Sequence, residues 1–140
     1  MKKLIIISAV LFLAVPAFSQ VWYPVNQATF GWDAVTKLND GTTIPAGSTI
    51  KYQAWRKMTP ATVWEKIGAE ITTLQANVSF AVEGSYFLGV SAIRYIGTDP
   101  VSQSTIAGSD VPANCQGGAA FGFKYWLALM MPSGLRPITP

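Results

Sequence analysis

Apolar and polar residues alternate in short runs along most of this chain, and one run stands out. Between residues 86 and 95, the side chains of Tyr86, Leu88, Val90 and Ala92 fall on one face. A repeat of two residues is the period of a β-strand, whose successive side chains point to opposite faces. The run follows Glu83-Gly84, a turn sequence. We therefore predict a strand here, with Tyr86 at its start on the core face.

Six further runs show the same alternation and predict six more strands. They cover residues 21–25, 28–33, 49–56, 63–67, 75–80 and 101–107. Turn-forming sequences such as Asn39-Asp40-Gly41 and Pro45-Ala46-Gly47 separate them. Residues 64–76 offer a helical alternative, but Gly68 and Ile71-Thr72-Thr73 favour a strand. About seven short strands without helices predict an all-β fold, an antiparallel sandwich.

The N-terminus has the pattern of an export signal. Lys2 and Lys3 precede an apolar run over residues 4–15, and small residues follow before Gln20. The run of about 12 residues is shorter than the ~20 that a membrane-spanning helix needs. We predict a cleaved signal peptide over residues 1–19 and a protein that is secreted, periplasmic or at the cell surface, not membrane-spanning after cleavage. The rest divides into one domain, residues 20–112, and an apolar extension, residues 113–140.

The amino-acid composition excludes several classes of partner, catalytic site and metal site. Without Lys2 and Lys3, eight of the ten basic residues remain against seven acidic ones, and they are scattered, so we expect no nucleic-acid partner. The sequence has no histidine, which excludes serine–histidine and cysteine–histidine nucleophiles and histidine-containing zinc sites. Most of the seven carboxylates lie in predicted turns, and the acids around Asn39-Asp40-Gly41 fit a turn better than a calcium loop. We predict that the protein is not an enzyme and has no catalytic residue, metal or cofactor.

The single cysteine, Cys115, rules out an intramolecular disulfide. Burial in the domain and pairing with another chain remain as alternatives, of which burial is the usual state of a free cysteine.

Several of these segments resemble a fibronectin type III domain. Residues 28–33 are similar to the second strand of that family with its core tryptophan, Trp32, residues 52–57 to the third strand, and residues 86–92 to the sixth. The order and spacing agree over residues 21 to about 110, whereas the usual Leu-x-Pro before the corner tyrosine is absent. The resemblance implies an immunoglobulin-like sandwich in which the Tyr86 hydroxyl bonds to the backbone between residues 80 and 83.

Two surfaces are candidates for binding. Trp55 and Trp64 alternate with core positions, and would form a platform for carbohydrate or protein if they lie on neighbouring strands. The segment 121–131 adds Phe123, Tyr125 and Trp126, and pairs either with its own sheet or with that of a neighbouring molecule. We therefore expect a non-catalytic binding or scaffolding module. The alternative is a self-assembling subunit of a fibre or surface layer, associating through residues 121–131.

Overall fold

The computed structural model describes residues 20–128. Short runs of alternating residues form nine strands in this part of the chain, and the only helical segments there are two 3-10 turns, Pro112–Asn114 and Gln116–Gly118. The strands are β1 (Val21–Pro24), β2 (Gln27–Gly31), β3 (Ser48–Met58), β4 (Glu65–Ile71), β5 (Gln75–Ser79), β6 (Gly84–Ile96), β7 (Asp99–Gln103), β8 (Ala107–Gly108) and β9 (Phe121–Tyr125). The predicted signal peptide lies outside the described residues.

The strands form two sheets. The main sheet has the order β1-β9-β6-β3-β4, and β7 and β8 pair with further parts of β6. Its pairs are antiparallel except for β1 and β9, which run parallel. Strands β2 and β5 form a separate antiparallel pair. The predicted all-β antiparallel sandwich is confirmed.

The core lies between the two sheets and is filled by the inward-facing residues of the alternating runs. The most deeply buried are Leu88, with 1% of its surface exposed, and Val78, with 2%. The buried cluster consists of Ala28, Phe30, Ala54, Val78, Phe80, Tyr86, Leu88 and Phe123. Every one of these residues belongs to a strand or directly follows one. The two-residue period of the strands therefore determines which side chains point into the core.

Tyr86 occupies the position that the sequence predicts for it. Its side chain is 4% exposed, and its hydroxyl donates a hydrogen bond of 2.6 Å to the carbonyl oxygen of Val82, four residues upstream. Its ring stacks on Phe80 with the ring centroids 4.6 Å apart. The predicted bond to the backbone between residues 80 and 83 is confirmed.

Two predicted strands differ from the observed ones by more than the one or two residues found at the ends of the others. Strand β4 runs on to Ile71 because Gly68 adopts a positive φ of 61° beside a register shift in the pairing with β3. The predicted strand 101–107 is divided into β7 and β8. The division follows from Ser104, whose hydroxyl accepts a hydrogen bond from the backbone of Ala92 in place of a strand carbonyl.

The apolar segment after residue 120 joins its own sheet. Residues Phe121–Tyr125 form β9, which lies between β1 and the first residues of β6. The backbone oxygen of Lys124 also accepts a bond from Val25 at 3.0 Å. The alternative in which this segment covers an edge of its own domain is therefore confirmed for β9, whereas residues 129–131 lie outside the described part of the chain.

Substitution of Tyr86 tests the tyrosine corner, in which the Tyr86 hydroxyl bonds to the carbonyl oxygen of Val82. Tyr86→Phe removes one buried hydrogen bond, so we expect the free energy of unfolding to fall by about 0.5–1.5 kcal/mol in urea titrations. Tyr86→Ala leaves a cavity and should cost ~3–5 kcal/mol. The matched control is Tyr23→Phe, because Tyr23 is 47% exposed and should tolerate the loss of its hydroxyl. Equal stability of Tyr86→Ala and the parent protein would contradict the corner.

Candidate functional site

Aromatic side chains cover the outer face of the main sheet, the face directed away from β2 and β5. In an antiparallel sheet such a face is usually polar. Here Trp22, Phe87, Trp55 and Trp64 lie on it, each partly exposed. We call these four residues the outer aromatic face.

Three of the four rings belong to one row that crosses the strands. Trp22 of β1 is opposite Gly122 of β9, and Lys57 of β3 is opposite Phe87 of β6. Trp64, just before β4, ends the row. The rings of Trp22 and Phe87 are in contact, with their centroids 5.2 Å apart. At the usual spacing of strands, the backbone positions of this row span roughly 19 Å. The ring of Trp64 reaches back over Gly89 of β6 and Gly108 of β8.

Glycines make room for the two outermost tryptophans. A Cβ atom on Gly122 would lie 2.8 Å from Cε3 of Trp22. A Cβ atom on Gly108 would lie 2.6 Å from Cζ2 of Trp64, and one on Gly89 would lie 3.1 Å from Cζ3 of the same ring. These distances are shorter than ordinary contacts, so each indole packs directly on the backbone of the sheet.

Trp55 is fixed by a hydrogen bond instead. Its Nε1 donates to the hydroxyl of Ser91 at 2.9 Å, and the side-chain amide of Gln103 donates to the same hydroxyl at 3.0 Å. Ser91 is only 1% exposed. The indole therefore has one orientation on the sheet, set by a buried polar group.

A lysine ammonium lies over each tryptophan of this face. The distance from Nζ to the ring centroid is 4.6 Å for Lys57 and Trp64, 5.0 Å for Lys124 and Trp22, and 5.6 Å for Lys66 and Trp55. Such cation–π contacts stabilise by about 0.5–1 kcal/mol at exposed positions. A fourth lysine, Lys51, lies 4.3 Å from the Tyr95 ring farther along the sheet.

These lysines are neutralised only in part. Lys57 pairs with Asp110, and both side chains are largely covered. Within residues 20–128, neither Lys51, Lys66 nor Lys124 has a carboxylate within 4 Å. Farther along the sheet, Glu70 accepts a hydrogen bond from the Tyr95 hydroxyl, which raises the pKa of that hydroxyl. The face carries an excess of positive charge.

The residues that the sequence proposes for binding do not form one site. Trp55 and Trp64 share the outer aromatic face. Phe123 is 8% exposed and stacks on Phe80 inside the core, so it is unavailable to a ligand, because it lies on the inward side of β9. Tyr125 packs partly against the core, and Trp126, beyond the end of β9, is 62% exposed.

Sequence reasoning missed Trp22, Phe87 and the lysines above the rings. Phe87 alternates with the buried Tyr86 and Leu88, so its outward position was readable from the pattern. The position of Trp22 was not readable, because it depends on the parallel pairing of β1 with β9, about a hundred residues away in the chain. Local alternation carries no information on such a pairing.

Cys115 does not add a reactive group. Its thiol is partly buried and lies 3.4 Å from the carbonyl oxygen of Val111 and 3.5 Å from that of Ser109. Burial raises the pKa of the thiol, which lowers the fraction of thiolate at neutral pH. The cysteine is therefore covered only in part by its own domain.

Among residues 20–128, no three acidic or cysteine side chains gather as metal ligands. That same portion contains no helix with the length and apolar character needed to cross a membrane. Comparisons of the chain with protein-family models and with curated proteins found no match.

Replacement of Gly122 tests the packing of the outer aromatic face. We expect Gly122→Ala to lower the free energy of unfolding by about 1–3 kcal/mol, because the new methyl group collides with Trp22. The loss should be smaller in a Trp22→Ala background, where the colliding ring is absent. A Trp64→Ala background is the control, since Trp64 does not contact Gly122, and there the cost should be undiminished. Equal costs in all three backgrounds would contradict the packing.

Proposed function

We propose that this protein is a non-catalytic extracytoplasmic binding module that holds an extended acidic polysaccharide on its outer aromatic face. One observation carries the proposal: the solvent-facing side of the main sheet presents a row of partly exposed aromatic rings with lysines above them. Exposed apolar patches of this kind mark ligand or partner sites.

The shape of the face favours a long ligand over a compact one. Small-molecule sites are concave, and they bury most of the ligand. This row instead extends across five positions of an open sheet. Aromatic rings stack with the apolar C–H faces of sugar rings, and the glycines beneath Trp22 and Trp64 let both indoles pack closely on the backbone of the sheet.

The charge of the face favours an acidic ligand. Lys66 and Lys124 lie over tryptophan rings without a carboxylate of the described chain within 4 Å. An anionic group of a sugar can pair with such an ammonium while the sugar ring stacks beside it. A protein partner is the less favoured occupant, because lysine is depleted in the cores of protein interfaces.

The cellular setting of the proposal rests on the sequence. Residues 1–19 have the pattern of a signal peptide, which leads us to place the domain outside the cytoplasm. The corner at Tyr86 and the order of the strands support the proposed relation to fibronectin type III domains. Domains with this architecture carry many functions, so the binding proposal depends on the face and not on the fold.

Dextran sulfate and dextran give a matched pair of ligands that differ only in charge. We expect residues 20–140 to be retarded by dextran sulfate in affinity electrophoresis and to pass dextran with little retardation. Lys66→Gln and Lys124→Gln should each weaken binding several-fold, and the affinity should fall as salt increases. Trp55→Ala should weaken it as well, although this change leaves the charge unaltered.

The control variant is Lys37→Gln, which removes a lysine from the loop between β2 and β3. It should bind dextran sulfate like the parent protein. If it weakens binding as much as Lys66→Gln does, the interaction depends on net charge alone and the face is not the site. Absence of binding to dextran sulfate would refute the proposal.

A second candidate function, a self-assembling subunit, is supported by a different part of the surface. Trp126 and Leu127 are 62% and 65% exposed, directly after β9. The backbone of Leu127 is held by a hydrogen bond to the Glu83 carboxylate, so both side chains are presented at one end of the sandwich. Exposed large apolar side chains on a held backbone are typical of association surfaces.

Light scattering coupled to size-exclusion chromatography tests this candidate. If the end of the sandwich associates, residues 20–140 should form oligomers whose proportion rises with concentration. The double variant Trp126→Ser, Leu127→Ser should then be monomeric and equally stable, because neither side chain is buried. A parent protein that stays monomeric up to millimolar concentration would exclude self-assembly through this surface.

A further inference from the structure

A second feature of the described chain is a cavity of about 440 Å³ at one end of the sandwich. The loop between β2 and β3 forms one wall and the segment after β7 forms the other. Its apolar lining includes Val35, Leu38, Ile44 and Ile50. Small-molecule sites are commonly of this size and combine apolar walls with a few polar groups.

Arg94 of β6 is the notable polar group in the lining. It is opposite Ile50 of β3, and its Nε is buried without a hydrogen-bond partner among the described residues. Within residues 20–128, no carboxylate lies within 4 Å of the Arg94 guanidinium. A partly buried guanidinium without an acceptor is unfavourable, since desolvation is not offset by a bond.

The rest of the lining increases the positive charge. Lys37 belongs to it, whereas no aspartate or glutamate does. The nearest acid along the loop is Asp40, whose carboxylate accepts bonds from the backbone and the hydroxyl of Thr42, and these bonds lower its pKa. Asp40 is therefore engaged within its own turn and does not neutralise the cavity.

Arg56, in contrast to Arg94, has a carboxylate partner. Its Nε bonds to Glu65 at 3.1 Å, at the exposed margin of the main sheet. Arg94 has the same donors in a more enclosed place and lacks such a partner. The guanidinium fork matches the two oxygens of a carboxylate.

We infer that this cavity binds a small organic carboxylate with an apolar body. The carboxylate pairs with Arg94 and is attracted by Lys37, and the apolar body packs against Leu38, Ile44 and Ile50. Ser102 and Thr105 also line the cavity, and their hydroxyl groups are further hydrogen-bond donors for the carboxylate. This site is separate from the outer aromatic face, since it lies at the end of the sandwich and shares no residue with that face.

Hexanoate is a suitable probe, with hexanamide as its uncharged counterpart and inorganic phosphate as an anion without an apolar body. In NMR titrations of residues 20–140, hexanoate should shift the backbone amide signals of Lys37, Ile50 and Arg94 in a saturable way. We expect hexanamide and phosphate to bind at least tenfold more weakly. Equal binding of phosphate would replace the proposal with a site for anions alone, and equal binding of hexanamide would reduce it to an apolar cavity.

Two variants and one control locate the site. Arg94→Gln should weaken hexanoate binding tenfold or more, and Lys37→Gln, in a loop where folding is not at risk, should weaken it several-fold. Arg56→Gln removes an arginine elsewhere and should leave binding unchanged. Neither cavity variant should alter retardation by dextran sulfate, so the two sites can fail independently. Hexanoate that causes no saturable shifts, or binding that survives both cavity variants, would overturn the inference.

Discussion

The stack of Tyr86, Phe80 and Phe123 is the interaction on which the arrangement of the two sheets depends. Phe80 directly follows β5 of the small sheet, whereas Tyr86 and Phe123 face each other on β6 and β9 of the main sheet. Phe80 lies 4.6 Å from Tyr86 and 6.0 Å from Phe123 between ring centroids, and the Tyr86 hydroxyl fixes the turn between β5 and β6. Aromatic rings bury large apolar areas, so a single cluster can join the layers without a disulfide.

Burial of one side of β6 determines what its other side can carry. With Tyr86 and Leu88 directed into the core, Phe87 and Gly89 must face outward, next to β3 and to β8 and β9. Gly122, Gly89 and Gly108 allow the indoles of Trp22 and Trp64 to pack on the backbone of the sheet. A lysine ammonium lies over each of these two indoles. The outer aromatic face is therefore a consequence of the strand register that the core fixes, because a shift by one residue would exchange the two faces.

The strands and the core were predictable from sequence because they depend on a local period. The hydrogen bond of the corner was expected from the resemblance to fibronectin type III domains, which implies it for a tyrosine at position 86. The surface was predictable only in part. Trp55 lies on the outward side of β3 as the alternation predicts, and Trp64 shares that face although it precedes β4. Phe123 was assigned to a surface although it lies in the core. Phe121, Phe123 and Tyr125 share the apolar side of this segment, opposite Gly122 and Lys124, but alternation does not tell whether that side packs in its own core or against a partner. The pairing of β9 with β1 and β6 decides this. The outward position of Trp22 was not predictable either, because it depends on the pairing of β1 with β9.

The two positively charged regions differ in a way that their geometry explains. On the open sheet, lysines with mobile stems lie over rings and can follow an irregular polymer, because a lysine ammonium is a point charge without a preferred direction. At the end of the sandwich, Arg94 is held between β3 and β7, where a planar fork recognises a planar group. A residue-by-residue count of charge would treat both regions alike, and residues 20–140, with eight basic and seven acidic side chains, would give no sign of either. Placement by the fold is what separates the proposed polyanion surface from the proposed carboxylate pocket.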